Sequence, residues 1–456
     1  MSRSCVPPLL LATALAAGCS VDVPLGGLTG EGFALTPGGE RGSALGVASD
    51  ELGNVYVSGN FRNTIDLGAG PLVAESEGPD MFIASYDPAG TLRWAERYSG
   101  ARWTQSGQQI FRGELYTVGH FSGVMLTALG NLDTTFQDTV LFRHSAAGAL
   151  GAGDSWGNQP GTSGNVQGKV IDASPSGRWI AIGGNYIGNV DFGPGPIGPE
   201  AGPDDDGFVV VFDQTTNTAV AARDLVADDL FVRAVAVRDD GSVTACGLFC
   251  GNTSFGGGGP ANGAYDGVCA GFDASLTEVW SQRFSTAGGD IIHGVASAGT
   301  DHIVVGSQAE SAVSGACGTA RALTATPYLA RLDASGNPVW EVTPASEGGA
   351  AVEDVVQGPD GLFYIVGTFN GRLQLGDRSF RSRGGEDGFV AILDDAGTIL
   401  ESARFGGEGD ERTAEITVPT PRTVAVVGSF SGSARFGTST AESSNFAPYV
   451  YRYTFP

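Results

Sequence analysis

The chain has 456 residues, with 72 Gly, 22 Pro, only 16% charged residues, and acids outnumbering bases 50 to 25 for a net charge of −25. So acidic a surface excludes nucleic acid and anionic lipid headgroups as partners and fits an exported, solvated protein. With 41% apolar and 9% aromatic residues, it can still build packed sheets rather than a disordered glycine-rich tether.

Residues 1–18 have the pattern of a secretory signal: Arg3, then an apolar stretch from Val6 to Ala16, too short to span a bilayer. The run Leu15-Ala16-Ala17-Gly18-Cys19 resembles a bacterial lipobox, although Ala16 stands where leucine is commoner. The resemblance implies cleavage before Cys19, acylation of its thiol, and a mature charge near −26 once Arg3 is lost. Ser20, a non-Asp residue, resembles an outer-membrane sorting signal. The expected location is the outer membrane or cell surface, with membrane contact only through the lipid. Residues 19–31 read as a short Gly-containing tether.

Residues 32–456 are written as one phrase repeated. Anchored on the glycine after a β-branched run, the copies fall at Gly59, Gly119, Gly184, Gly247, Gly306, Gly367 and Gly428. That is about 61 residues per copy, and copies start near 39, 101, 161, 227, 288, 347 and 408. The anchor is followed by GNFRNTIDLG, GNYIGNVDFG, GTFNGRLQLG and similar stretches; only the fifth copy, GSQAESAVSG, loses the aromatic. About 20 residues later comes a second apolar segment, as in DMFIASYD, DGFVVVFD and DGFVAILD. A tight turn (DPAGT, DASGN, DDAGT) then leads into a further strand. Trp94, Trp280 and Trp340 share one offset from the turn aspartates Asp87, Asp273 and Asp333, which predicts packing between sheets.

Each copy therefore predicts four strands, A to D, and no segment has capped helical periodicity. Seven four-stranded units predict a seven-bladed β-propeller of antiparallel blades. The last copy stops after strand C, and the early fragment GFALTPGG matches a D-to-A passage. Phe33 to Thr36 are therefore expected to close the ring as the missing strand, removing two exposed edges. The pattern G-N-V-Y-V-x-G, D-x-F-[IV]-A and D-x-x-G is similar to the bacterial β-propeller repeat family, often called seven-bladed propeller repeats. That resemblance covers nearly the whole mature chain and implies a fold, with little functional information.

Motifs for chemistry are sparse. GPGPIG at 193–198 has two prolines and no following helix, and GNVQGKV at 164–170 lacks the Ser or Thr of a phosphate loop. The histidines 120, 144, 293 and 302 read as strand and loop residues without metal partners. Asp204-Asp205-Asp206-Gly207 lacks the spacing of a calcium loop. No catalytic residue is expected. Glu40, Asp229, Asp290 and Asp410 sit just before strand A, where a carboxylate ring could hold a cation such as calcium. Solvated loop acids are the preferred reading, and no cofactor is expected.

Export permits disulfides. Cys246 and Cys250 lie about 13 Å apart in one extended strand, too far to bond. Two pairings remain. Cys246–Cys269, across strands B and C, with Cys250–Cys317 between neighbouring B–C connections, is the favoured one. The A–B and C–D turns are short, whereas the B–C connections are long and variable. A protein or neutral glycan partner is expected on the B–C face of a monomer. The expected function is a binding or display module. The alternatives are an enzyme, such as a lyase or quinoprotein-like oxidoreductase, with its site in the central channel, and a structural envelope component. Polar residues special to one or two blades and converging on the axis would favour the enzyme.

Overall fold

The structure is a computed structural model that describes residues 34–35, 41–75, 78–157, 164–198, 204–254, 258–309 and 325–456. The expectations at Cys19, Glu40 and Cys317, and the aberrant B–C connection of the fifth copy, lie outside these residues. The described residues contain no helix and form an all-β fold of propeller type: consecutive antiparallel four-stranded meanders that pack on one another in chain order.

The third, fourth and sixth copies are representative. Val166–Ala173, Trp179–Tyr186, Asp206–Asp213 and Thr218–Leu225 pair in sequence order as strands A to D. Ala227–Val237, Val243–Thr253, Asp266–Phe272 and Glu278–Phe284 do the same, as do Ala350–Gln357, Phe363–Phe369, Asp387–Leu393 and Ile399–Phe405. Strands B and C are buried along nearly their whole length, which explains their continuous apolar runs.

Two departures from regular blades occur. Strand Leu92–Arg112 runs from D of the first copy straight into A of the second. No proline or Asp-x-x-Gly turn interrupts it, so these two copies share one seven-stranded sheet. In the last copy, the strand after Thr423–Phe436 is Ser439–Thr454, and its outer neighbour is Ala34–Leu35, with Ala34 opposite Tyr451 and Leu35 opposite Val450.

The B–C connections are not featureless loops. Thr64–Asp66 pairs with Pro71–Val73, and Arg372–Leu375 with Arg378–Arg381. In the second and last copies the B and C strands simply continue into long hairpins, Glu114–Thr127 with Gly130–Ser145 and Thr423–Phe436 with Ser439–Thr454. Outside the fifth copy, the phrase after the anchor glycine holds the first strand of such a pairing.

Repeated residues do scaffold work. The turn aspartates accept two backbone N–H bonds each: Asp333 from Ser335 (2.8 Å) and Asn337 (2.9 Å), and Asp394 from Ala396 (3.0 Å) and Thr398 (2.8 Å). These Asx turns explain the D-x-x-G pattern. The aspartate that opens strand C pairs with an arginine of strand D, Asp266 with Arg283 at 2.6 Å and Asp387 with Arg404 at 2.7 Å, and both carboxylates are fully buried. The tryptophans join neighbouring units. The Trp94 indole N–H donates to the carbonyl of Ala146 and that of Trp340 to Asp395, 3.0 Å in each case.

The anchor glycines have a steric cause. A Cβ on Gly184 would lie 2.0 Å from the Gln167 carbonyl oxygen, and one on Gly367 2.1 Å from that of Ala351. That carbonyl is pushed forward because strand A carries a β-bulge two residues later. The register slips between Gly168 and Val170, Val232 and Ala234, Ile292 and Gly294, and Val352 and Asp354, with equivalent slips in the other units. Only glycine fits opposite the bulge.

Candidate functional site

Strand A of every unit lines one cavity of about 700 Å³, which opens among the short A–B turns (Asp50, Glu51, Pro175, Pro359, Pro421). The strands A therefore all face one channel-like cavity. A second pocket, of about 630 Å³, lies on the opposite, B–C face between the first and last copies, against Leu45, Asn60, Arg62 and Phe446.

A bulge re-aims the inserted side chain. The bulge residues are Leu45, Gly107 with Gln108, Lys169, Arg233, His293, Glu353 and Ala414. Most of them are partly exposed while the residues on either side are buried, and the residues that follow them, among them Ala234, Asp354 and Glu415, line the cavity. Four successive units thus carry Lys169, Arg233, His293 and Glu353, whereas the other units carry Leu45, Gly107 with Gln108, and Ala414, none of them charged or titratable. This breaks the repeat symmetry that the scaffold otherwise keeps.

The four side chains interact across unit boundaries. His293 Nδ1 is 3.5 Å from Glu353 Oε2. The Thr368 hydroxyl donates to Glu353 Oε1 at 3.4 Å. Lys169 Nζ is 3.5 Å from Nε2 of the buried His120. Burial pulls the Lys169 ammonium down to about 7, the Arg233 guanidinium adds to the effect, and Asp205 opposes it. Burial, reinforced by Lys169, keeps His120 neutral. Lys169 is the only lysine in the chain. That fact, and the near-constant distance of the bulge residues upstream of each anchor glycine, were the signals in the sequence that mark this row.

A second polar layer lies on the A–B side of the bulges and serves the scaffold. Asp172 accepts the Val237 N–H (2.8 Å), Asp354 the Ile416 N–H (3.0 Å) and Glu415 the Val47 N–H, each in the next unit. Burial raises both Asp172 and Asp354 to about 6. These carboxylates fasten strand A to strand A around the channel.

The acids suggested for a cation sit elsewhere. Asp229 accepts the backbone N–H of Asp205 (3.4 Å) and Asp410 that of Glu386 (3.2 Å), tying the lead-in to strand C to the following unit. Asp290 is completely buried and accepts bonds from the Thr286 N–H and hydroxyl, so it is not a solvated loop acid. Burial outweighs those bonds and raises it to about 6. Among the described residues, no three or more His, Cys, Asp or Glu side chains are grouped to hold a metal ion.

Cys246 and Cys269, opposite each other on strands B and C, are joined by a disulfide with a Cα–Cα distance of 4.1 Å. Cys250 is also disulfide-bonded. The remaining histidines are structural. Buried His144 contacts the Tyr98 hydroxyl (2.5 Å), and His302 lies 3.0 Å from the Thr244 hydroxyl and 2.8 Å from the Arg238 guanidinium. Burial holds His144 down near 4 and His302 near 3.

No family model matches the chain, and no curated protein matches it in sequence. Solved structures to which it is similar include the Dos1 propeller (11% identity over 94% of this chain and 95% of that one, TM-score 0.42). A catalytically inactive virginiamycin B lyase from Staphylococcus aureus with quinupristin has 11% identity over 94% and 100%, TM-score 0.45. The periplasmic gluconolactonase PpgL from Pseudomonas aeruginosa has 12% identity over 82% and 95%, TM-score 0.44.

Proposed function

We propose that this protein is an exported seven-bladed propeller, tethered through a lipid on Cys19, that works as a binding module. Its partner, a protein or neutral glycan, engages the B–C face and sends a polar group into the channel. Closure of the ring is supported by Ala34–Leu35 pairing outside Ser439–Thr454, and by the contacts of Gly42–Ser49 with Asp410–Thr420. The observation that carries the binding reading is the row Lys169, Arg233, His293, Glu353. Scaffold residues repeat from unit to unit, and these do not. Repeat arrays hold their shape through shared positions, so polar residues that break the repeat mark a place for recognition.

The test is crosslinked capture from the native envelope by wild-type protein and by a variant with all four residues changed to alanine. A partner held by the first and lost by the folded second supports the reading. A partner kept by the variant, and lost when the short A–B turns are altered, refutes it.

The His293–Glu353 pair and Lys169 favour a second reading, an enzyme using general acid–base chemistry in the channel. A carboxylate beside an imidazole fixes its orientation and stabilises its charged form.

A further inference from the structure

We propose that Lys169 is a nucleophile that binds a small 2-oxo acid covalently, as an imine, with Arg233 receiving the carboxylate. This rests on the reading of the channel row as the binding site.

Lys169 and Arg233 occupy the bulges of adjoining units, so both side chains enter the channel at one level. Lys169 is partly exposed, between the buried Gly168 and Val170. A lysine is a poor nucleophile while it is protonated. Desolvation beside a second cation removes that obstacle, and both conditions hold here, with the ammonium held to about 7. The charged and titratable groups around it are His120, Asp205, Arg233 and, beyond Arg233, Glu353. Only Asp205 favours the ammonium, and its carboxylate also accepts a bond from Asn185 (2.8 Å).

The step balances without a further reagent. Nζ of the neutral amine attacks the carbonyl carbon and a C–N bond forms. Neutral His120, 3.5 Å from Nζ, takes a proton from nitrogen and passes it to the departing oxygen. The second amine proton follows, the C–O bond breaks, and water leaves. A 2-oxo acid suits the pair because its carboxylate is one bond from the reacting carbon. The Arg233 guanidinium matches a carboxylate, and His293 and Glu353 lie on the next two bulges for later proton transfers.

The absence of any other lysine makes the test direct. The full chain is incubated with pyruvate or with acetaldehyde, sodium cyanoborohydride is added, and the adduct is located by peptide mapping. The expected result is a single pyruvate adduct on Lys169, absent in Lys169→Arg. Its rate should rise as pH increases through about 7. Arg233→Ala should slow pyruvate trapping about tenfold more than it slows acetaldehyde trapping, because loss of the guanidinium raises Lys169 for both carbonyls alike but removes the carboxylate's partner only for pyruvate. Circular dichroism melts check that both variants fold. No adduct on Lys169, an adduct confined to the N-terminal amine, or equal slowing of both carbonyls by Arg233→Ala overturns the proposal. If the four-residue variant loses its partner while wild-type Lys169 traps nothing, this proposal fails and the binding reading stands. If Lys169 traps pyruvate while the four-residue variant keeps its partner, the binding reading fails instead.

Discussion

Tryptophans of strand D hold the units together by clamping the next unit's C–D turn, and this clamp can be measured at Gly397. Gly397 has φ +78°, and a Cβ there would lie 3.0 Å from Cδ2 of Trp340. Gly361, in the A–B turn of the same unit, has φ +80° and nothing within 4 Å of its Cβ position. Alanine at either site costs about 1–2 kcal/mol for the left-handed backbone alone. At Gly397 the methyl group must also push the indole away. Its hydrogen bond to Asp395, worth about 1 kcal/mol, is weakened and packing contact is lost. Gly361→Ala should therefore destabilise by about 1–2 kcal/mol and Gly397→Ala by about 2–4 kcal/mol, an excess of 1–2 kcal/mol. Urea unfolding followed by circular dichroism reads both. In a Trp340→Leu background the excess should vanish, as a double-mutant cycle requires of a direct contact. Equal costs at the two glycines, or an excess that survives the loss of Trp340, would show that the indole does not hold the turn.

Deleting residues 31–38 should lower the melting temperature by several degrees or more, because the edge of Ser439–Thr454 loses its partner; an unchanged calorimetric melt refutes ring closure. Changing both Cys246 and Cys269 to alanine should cost about 3 kcal/mol, given a sequence separation of 23 residues, and a urea midpoint equal to wild type would contradict this. Asp354 has its folded pKa raised to about 6 from 3.8 by burial, so its stabilising contribution is full below 3.8 and is lost as pH rises through 6. The destabilisation caused by Asp354→Asn should accordingly shrink between pH 4 and pH 7.5, by up to about 3 kcal/mol. A cost that is constant or grows with pH would show that the carboxyl is not protonated in the folded state.

The four-strand unit was legible in the sequence because each of its determinants acts locally. Continuous apolar runs make strands B and C, and Asp273, Asp333 and Asp394 close Asx turns within four residues of themselves. The constant offset of Trp94, Trp280 and Trp340 likewise exposed an inter-sheet role. Where side chains act on the next unit, the sequence alone is silent. Asp172 and Asp354 read as ordinary strand acids until the fold brings Val237 and Ile416 to them. Asp290 reads as a loop acid until burial removes it from water. The row of Lys169, Arg233, His293 and Glu353 was hidden for a different reason. Strict alternation assigns each strand residue to one face, and a one-residue bulge suspends that rule at the very position that enters the channel. The anchor glycine records the bulge at Gly59, Gly184, Gly247, Gly306, Gly367 and Gly428, since a carbonyl about 2 Å from its missing Cβ permits nothing larger. The sequence thus determined where the bulge falls, and only the packing of one unit against the next decided that four of the inserted residues would meet.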